Sequence, residues 1–195
     1  MKESLRLVGV MAAFSLVAGI LLAVTQAVTR APIEEASRSG MVAVLRRALP
    51  DADNDPVAET RTVGTNGCFH IGRTRGRVTG LAFRSVSTKG YGGPIEVMVA
   101  LTPDGTIRSV EILSAAKETP GLGTKISEPE WIGQFKGRPA HDTAWARVTR
   151  DGGAIESVTG ATISSRAVAE AVRKGLDLFA AHQNELVNDT QAAKE

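Results

Sequence analysis

Apolar and polar positions divide the chain into a long uncharged run, a strand-patterned middle and a helix-patterned end. From Leu7 to Val28 no residue is charged, and about 20 such residues suffice to cross a bilayer as a helix. In residues 31–49, Val42, Leu45 and Leu49 share a face, Pro32 suits a first turn, and Glu34 and Glu35 favour the positive end of a helix. A second helix is expected there, closed by Pro50-Asp51. Residues 51–66 are polar and turn-rich. Val78 to Ser87 reads as a strand. Ile95, Val97, Val99 and Leu101 alternate with Glu96, Met98 and Ala100, a period of two. The turn Thr102-Pro103-Asp104-Gly105 follows, and Ile107, Val110 and Ile112 carry the return strand, so a β-hairpin is predicted. Residues 114–145 are loop-rich. A short strand is expected at 146–149 and a turn at Asp151-Gly152-Gly153. From Thr162 to about Leu186, Val168, Val172, Leu176 and Phe179 recur at helical spacing.

These elements predict an α+β fold: one N-terminal transmembrane helix, then a single domain with an antiparallel sheet and flanking helices. The expected division is a cytoplasmic N-terminus (1–6), the transmembrane helix (7–28), an exported domain (29–186) and a flexible polar tail (187–195). Lys2 and Arg6 precede the apolar run, which places the N-terminus in the cytoplasm and the domain outside. A cleaved signal peptide is the rival reading, since Thr25-Gln26-Ala27 offers a small-residue cleavage site. The run exceeds the usual 7–15 residues of a signal core, which favours an uncleaved anchor.

Composition narrows the chemistry. Lys and Arg number 23 against 21 Asp and Glu, a net charge of +2 with no basic cluster, and aromatics are only 4%. Neither the charge nor the stacking surface of a nucleic-acid binder is present. The single cysteine, Cys68, excludes an intrachain disulfide, a CxxC pair, a cysteine zinc cage and an all-cysteine iron–sulfur site. Cys68 is expected to be a half-buried small apolar residue. His70, His141 and His182 lie far apart and match no metal-ligand spacing. Pro120-Gly121-Leu122-Gly123-Thr124-Lys125 fails as a phosphate loop because Thr124 separates Gly123 from Lys125. No catalytic acid, base or nucleophile set can be named.

The junction before the last helix carries the chemistry: Ser157-Val158-Thr159-Gly160-Ala161-Thr162-Ile163-Ser164-Ser165. A helix start presents free N–H groups and a positive dipole end to an anion. Gly160 and Ala161 leave room for a bulky group, and the hydroxyls of Thr159, Thr162, Ser164 and Ser165 can cap or donate. The alternative on the residues alone is an ordinary Thr/Ser cap.

The segment TGATISS resembles the motif of covalent FMN-binding domains. Tyr91-Gly92-Gly93-Pro94-Ile95 and Glu118-Thr119-Pro120-Gly121-Leu122-Gly123 resemble two further segments of that family. Together with the anchor, the pattern resembles the G subunits of Rnf-type ion-translocating electron-transport complexes. The resemblance implies FMN joined through its phosphate to Thr162 by a flavin transferase, with Thr159, Gly160, Ala161 and Ser164 around the linkage. It implies that Glu118, Thr119, Leu122 and Gly123 lie against the flavin ring, Glu118 and Thr119 bonding its edge. It makes Lys89, Lys117 and Lys125 candidates for stabilising the reduced flavin. Glu156 stands where the family motif commonly has Asp. The implied role is a redox-carrier subunit that relays electrons within a complex working between ferredoxin and NAD and moving ions. Its implied partners are the other membrane and iron–sulfur subunits, and its implied place is the inner membrane. The C subunit of the sodium-pumping NADH:quinone reductase shares the flavin and the anchor; the ETPGLGTKI context and the short spacer between hairpin and motif favour the Rnf type. A non-redox anchored module for binding or assembly is the alternative of a different class.

Overall fold

A computed structural model describes residues 2–64, 67–115 and 117–188. Most of the expected tail, residues 189–195, lies outside the described residues. The chain divides into two compact units, 1–43 and 44–195. From Lys2 on, the first belongs to α1 (Lys2–Ala48), which continues through Pro32 as one helix, where two were expected. The stretch from Arg6 to Arg30 is long and apolar enough to cross a membrane, and its apolar side chains are exposed along their length.

The second unit starts with the last turn of α1 and contains a five-stranded antiparallel sheet in sequential order: β1 (Thr60–Val63), β2 (Gly67–Thr74), β3 (Arg77–Ser87), β4 (Ile95–Leu101) and β5 (Ile107–Ser114). The predicted strand and hairpin are present. The β1–β2 hairpin has no clear sequence signal, because β1 is short and lies in a polar stretch. After the sheet come the short helix α2 (Pro129–Ile132), single 3-10 turns, and the long helix α3 (Thr162–Val187). The expected strand at 146–149 is instead a 3-10 turn, Thr149–Asp151, bracketed by one parallel bridge between Val148 and Ile155. With only that bridge, no ladder forms to hold a strand.

Register places Phe69, Ile71, Leu81, Phe83, Val97, Val99 and Leu101 on one sheet face. Helix α3 covers that face with Ala171, Val172, Leu176 and Phe179, all buried. Phe69 meets Phe83 at 5.0 Å and Phe179 at 6.4 Å between ring centroids. Met98 and Ala100, expected to alternate outward, are also buried. The other face is covered near there by the last turn of α1 and the residue after it, with Leu49 against β2 and β3 and Arg47 paired to Glu111 at 2.8 Å. Cys68 is exposed, not half-buried: the same alternation turns Gly67 and Phe69 inward and Cys68 outward.

Candidate functional site

The site gathers at the N-terminus of α3, where three loops converge. The sequence Val158–Ala161 makes a tight turn closed by the Ala161 N–H on the Val158 carbonyl at 2.9 Å. Gly160 holds φ at +81°, in the left-handed region that L side chains avoid, and a Cβ there would stand 3.1 Å from Leu122 Cδ1. The buried Ser165 hydroxyl braces this turn. It accepts from the Val158 N–H and donates to the Ala161 carbonyl, both at 3.0 Å.

The residue that caps α3 is Ala161, whose methyl side chain offers no acceptor. The N–H groups of the first turn are therefore left for a ligand or solvent. Thr162, the first helical residue, is half-buried. Among the described residues its hydroxyl has no hydrogen-bond partner. The ordinary-cap reading is thus not what the fold builds: two of the four hydroxyls are engaged inside the protein, and neither they nor Thr162 cap the helix.

The second loop is wound around one carbonyl. The N–H groups of Leu122, Gly123 and Thr124 all point to the Thr119 oxygen, at 3.2, 2.8 and 3.3 Å. This holds Leu122 out, 40% exposed. The third loop carries Tyr91, 70% exposed. Glu118 ties the three together. It is 5% exposed, and its two carboxylate oxygens accept from the Gly92 N–H at 3.1 Å and the Ser164 hydroxyl at 2.5 Å. Gly92 is needed for this approach, since a Cβ there would overlap the Lys117 carbonyl. Glu118 therefore serves the frame of the site, each of its oxygens accepting from one protein donor.

The result is an open cleft of about 560 Å³ lined by Glu118, Thr119, Leu122, Gly123, Gly160, Ala161, Thr162 and Ser164, joined by Tyr91, Arg150 and Ile163. A volume of this size suits a mononucleotide-sized ligand. Of the residues expected around the linkage and against the ring, Thr159 alone stays off the lining; it is exposed. Outside α1, the exposed large apolar side chains are Val86, Tyr91, Leu122 and Ile163, so three of them converge here. An aromatic ring system has an apolar wall to lie on, and a phosphate has free N–H groups and a positive helix end. The donor set fits FMN.

None of the three candidate lysines lines the cleft. Lys89 pairs with Glu170 at 3.0 Å and lines a separate groove. Lys125 lines a neighbouring cleft with Glu128 and Glu156. Lys117 packs its stem beside Gly93. Among the described residues the cation lining the cleft is Arg150, which nothing in its local sequence distinguishes from other surface arginines. Ile163 carries no signal either, because it lies off the periodic apolar face of α3. Glu156 has an exposed side chain and a backbone fixed by Trp131 Nε1, which donates to its carbonyl at 2.7 Å.

Glu170 lies on the buried side of α3 at 15% side-chain exposure. Burial alone would raise its pKa. Lys89, Lys174 and the Ser87 hydroxyl outweigh that and hold it at about 2.

Comparison with known proteins gives the same picture. Residues 90–177 match the model of the FMN-binding domain. The chain is 41% identical over 184 residues to the G subunit of the ion-translocating oxidoreductase complex of Cereibacter sphaeroides, covering 89% of this chain and 83% of that protein. It is 33% identical over 193 residues to the corresponding G subunit of Vibrio cholerae, covering 92% and 91%. Among solved structures, Shewanella oneidensis NqrC superposes with a TM-score of 0.50 at 24% identity, over 70% of this chain and 72% of that one, a likeness of fold.

Proposed function

The chain belongs to the family of G subunits of ion-translocating oxidoreductase complexes, and from that premise we propose that it is the membrane-anchored flavoprotein subunit of an Rnf-type complex, carrying FMN as a phosphoester on Thr162. The observation that carries this reading is the unbonded Thr162 hydroxyl at an uncapped helix start, opening into a cleft with an apolar wall. Bound FMN would supply reversible one- and two-electron chemistry, which no side chain here can provide.

The protein's part is to hold and orient. The first-turn N–H groups of α3 stabilise the single negative charge of the phosphodiester, by about 0.3–1 kcal/mol where exposed. So small a term cannot retain a cofactor on an open surface, and the covalent bond supplies the retention. Leu122, Ile163 and Tyr91 give the ring an apolar wall. Glu118 keeps the three loops in register, and Ser164 keeps Glu118 in place.

In this reading a flavin transferase loads the domain, the other membrane and iron–sulfur subunits exchange electrons with it, and the complex couples transfer between ferredoxin and NAD to ion movement. Residues 7–28 anchor the chain in the inner membrane and 29–186 form the exterior domain. Intact-mass spectrometry of the chain co-expressed with a transferase tests the linkage. One FMN increment is expected in the parent and in Thr162→Ser, and none in Thr162→Ala; an increment that persists in the alanine variant places the bond elsewhere. Cys68, exposed and the sole cysteine, reports the orientation. It should react with a membrane-impermeant maleimide from the outside of intact spheroplasts, and protection there would reverse the topology.

A further inference from the structure

Arg150 is the cation that the fold brings into the cleft. It sits in the 3-10 turn Thr149–Asp151, whose ends are fixed by the Val148–Ile155 bridge and by the Thr149 N–H on the Ile155 carbonyl at 2.9 Å. Its side chain is exposed and, among the described residues, has no carboxylate partner. The neighbouring cations, Arg147 apart, differ. Arg166 makes two bonds to Asp151, at 2.5 and 2.8 Å. Lys89 and Lys174 share Glu170, and Arg173 lies 3.6 Å from Asp177. These neutralised pairs, Lys174 apart, line or adjoin the groove on the far side of Ile163. Arg150 is thus, among the described residues, a cation without an ion-pair partner in a cleft whose one lining carboxylate, Glu118, is held in place by the Gly92 N–H and the Ser164 hydroxyl.

Resting on the FMN reading above, we infer that Arg150 sets the reduction potential of the bound flavin by favouring its reduced form. The charge balance gives the reason. Taking up two electrons and one proton leaves the reduced ring one unit more negative than the oxidised ring. The phosphodiester carries the same charge in both states. A fixed cation in the cleft therefore favours the reduced state selectively, and its removal lowers the potential. In a cleft open to water the interaction is screened, so one charge amounts to about a threefold to tenfold change in the reduced-to-oxidised ratio.

The experiment uses the full chain in detergent, co-expressed with a flavin transferase, as the parent, Arg150→Gln, Arg150→Lys and Lys136→Gln. Intact mass first establishes the FMN increment in each. Dithionite then reduces each protein in equilibrium with a reference dye, at low salt and at about 1 M salt. At a fixed ambient potential the ratio should fall about threefold to tenfold in Arg150→Gln; tenfold corresponds to about 30 mV for a two-electron couple. Arg150→Lys and Lys136→Gln, which removes the same charge outside the cleft, should match the parent, and the difference should shrink at high salt. Equal ratios in the parent and Arg150→Gln overturn the assignment. So does an Arg150→Lys that behaves like Arg150→Gln without salt dependence, since that marks a structural role. An increment lost only from Arg150→Gln also overturns it, by making the arginine part of attachment. Absence of the increment from the parent overturns the FMN reading itself.

Discussion

Along α3, Ala167, Val168, Ala171, Val172, Leu176 and Phe179 are buried against the sheet, and Ser85 Oγ donates to the Ala171 carbonyl at 2.7 Å across the interface. One turn earlier the same helix presents a half-exposed Ile163, an unbonded Thr162 hydroxyl and a start without a side-chain cap. The later turns direct their apolar side chains into the core. The first turn leaves apolar surface, a hydroxyl and N–H groups open. A segment that serves stability alone would cap the helix, since a Ser or Thr cap is worth about 1 kcal/mol over alanine. The first turn forgoes that, which is the mark of a surface completed by something other than the chain.

Three substitutions break or sharpen this contrast. The largest effect belongs to Thr162→Ala: complete loss of the flavin band seen under ultraviolet light on a denaturing gel, with unfolding stability of the apo-protein unchanged within about 0.5 kcal/mol. A large stability loss would put the hydroxyl among the engaged ones. Ser165→Ala should behave in the opposite way. It strands the Val158 N–H and costs about 1–3 kcal/mol in urea unfolding, while the Thr162 hydroxyl remains for attachment. If it proves neutral, the turn is held by other means. The smallest effect is on the acid limb of stability. The folded-state pKa of Glu170, about 2, lies below its ordinary value of 4.5. Its contribution is therefore fully present above about pH 4.5 and is lost as pH falls towards 2. Glu170→Gln should be less stable than the parent at neutral pH by about 1 kcal/mol, and the two should converge at about pH 2. Parallel stability curves across that range would show that the ion pairs do not hold this face of α3.

The elements most readable from the sequence were those with a strong local period. β4 and β5 alternate, the intervening Pro-Asp-Gly turn matches its type, and α3 repeats its apolar positions at helical spacing. The site's centre was readable for a similar reason: Thr162 stands in a compact motif at a helix start, and Leu122 and Glu118 in another. The roles within the site were less readable. Glu118 was expected at the edge of the ring; the structure adds that it lines the cleft and also ties the loops together. Lys89, Lys117 and Lys125 were candidate cations of the site; Lys89 and Lys125 line other grooves, and Lys117 is not among the residues lining the cleft. Charge and hydrogen-bonding capacity can be seen in a sequence, but their use is set by which partner stands nearest in space.

The sequence alone settled the uncharged N-terminal run, the hairpin, the final helix and the motif at its start, because each is encoded within a few neighbouring residues by periodicity, turn chemistry and spacing. Tertiary structure alone decided that Ser164 and Ser165 are engaged inside the protein while Thr162 is not, that Glu118 joins three loops, and that Arg150 is the cation left in the cleft. The Glu118 tie joins groups 26 and 46 residues apart in sequence, and the cleft gathers side chains from separate segments, a condition that only the packed sheet, loops and helix impose.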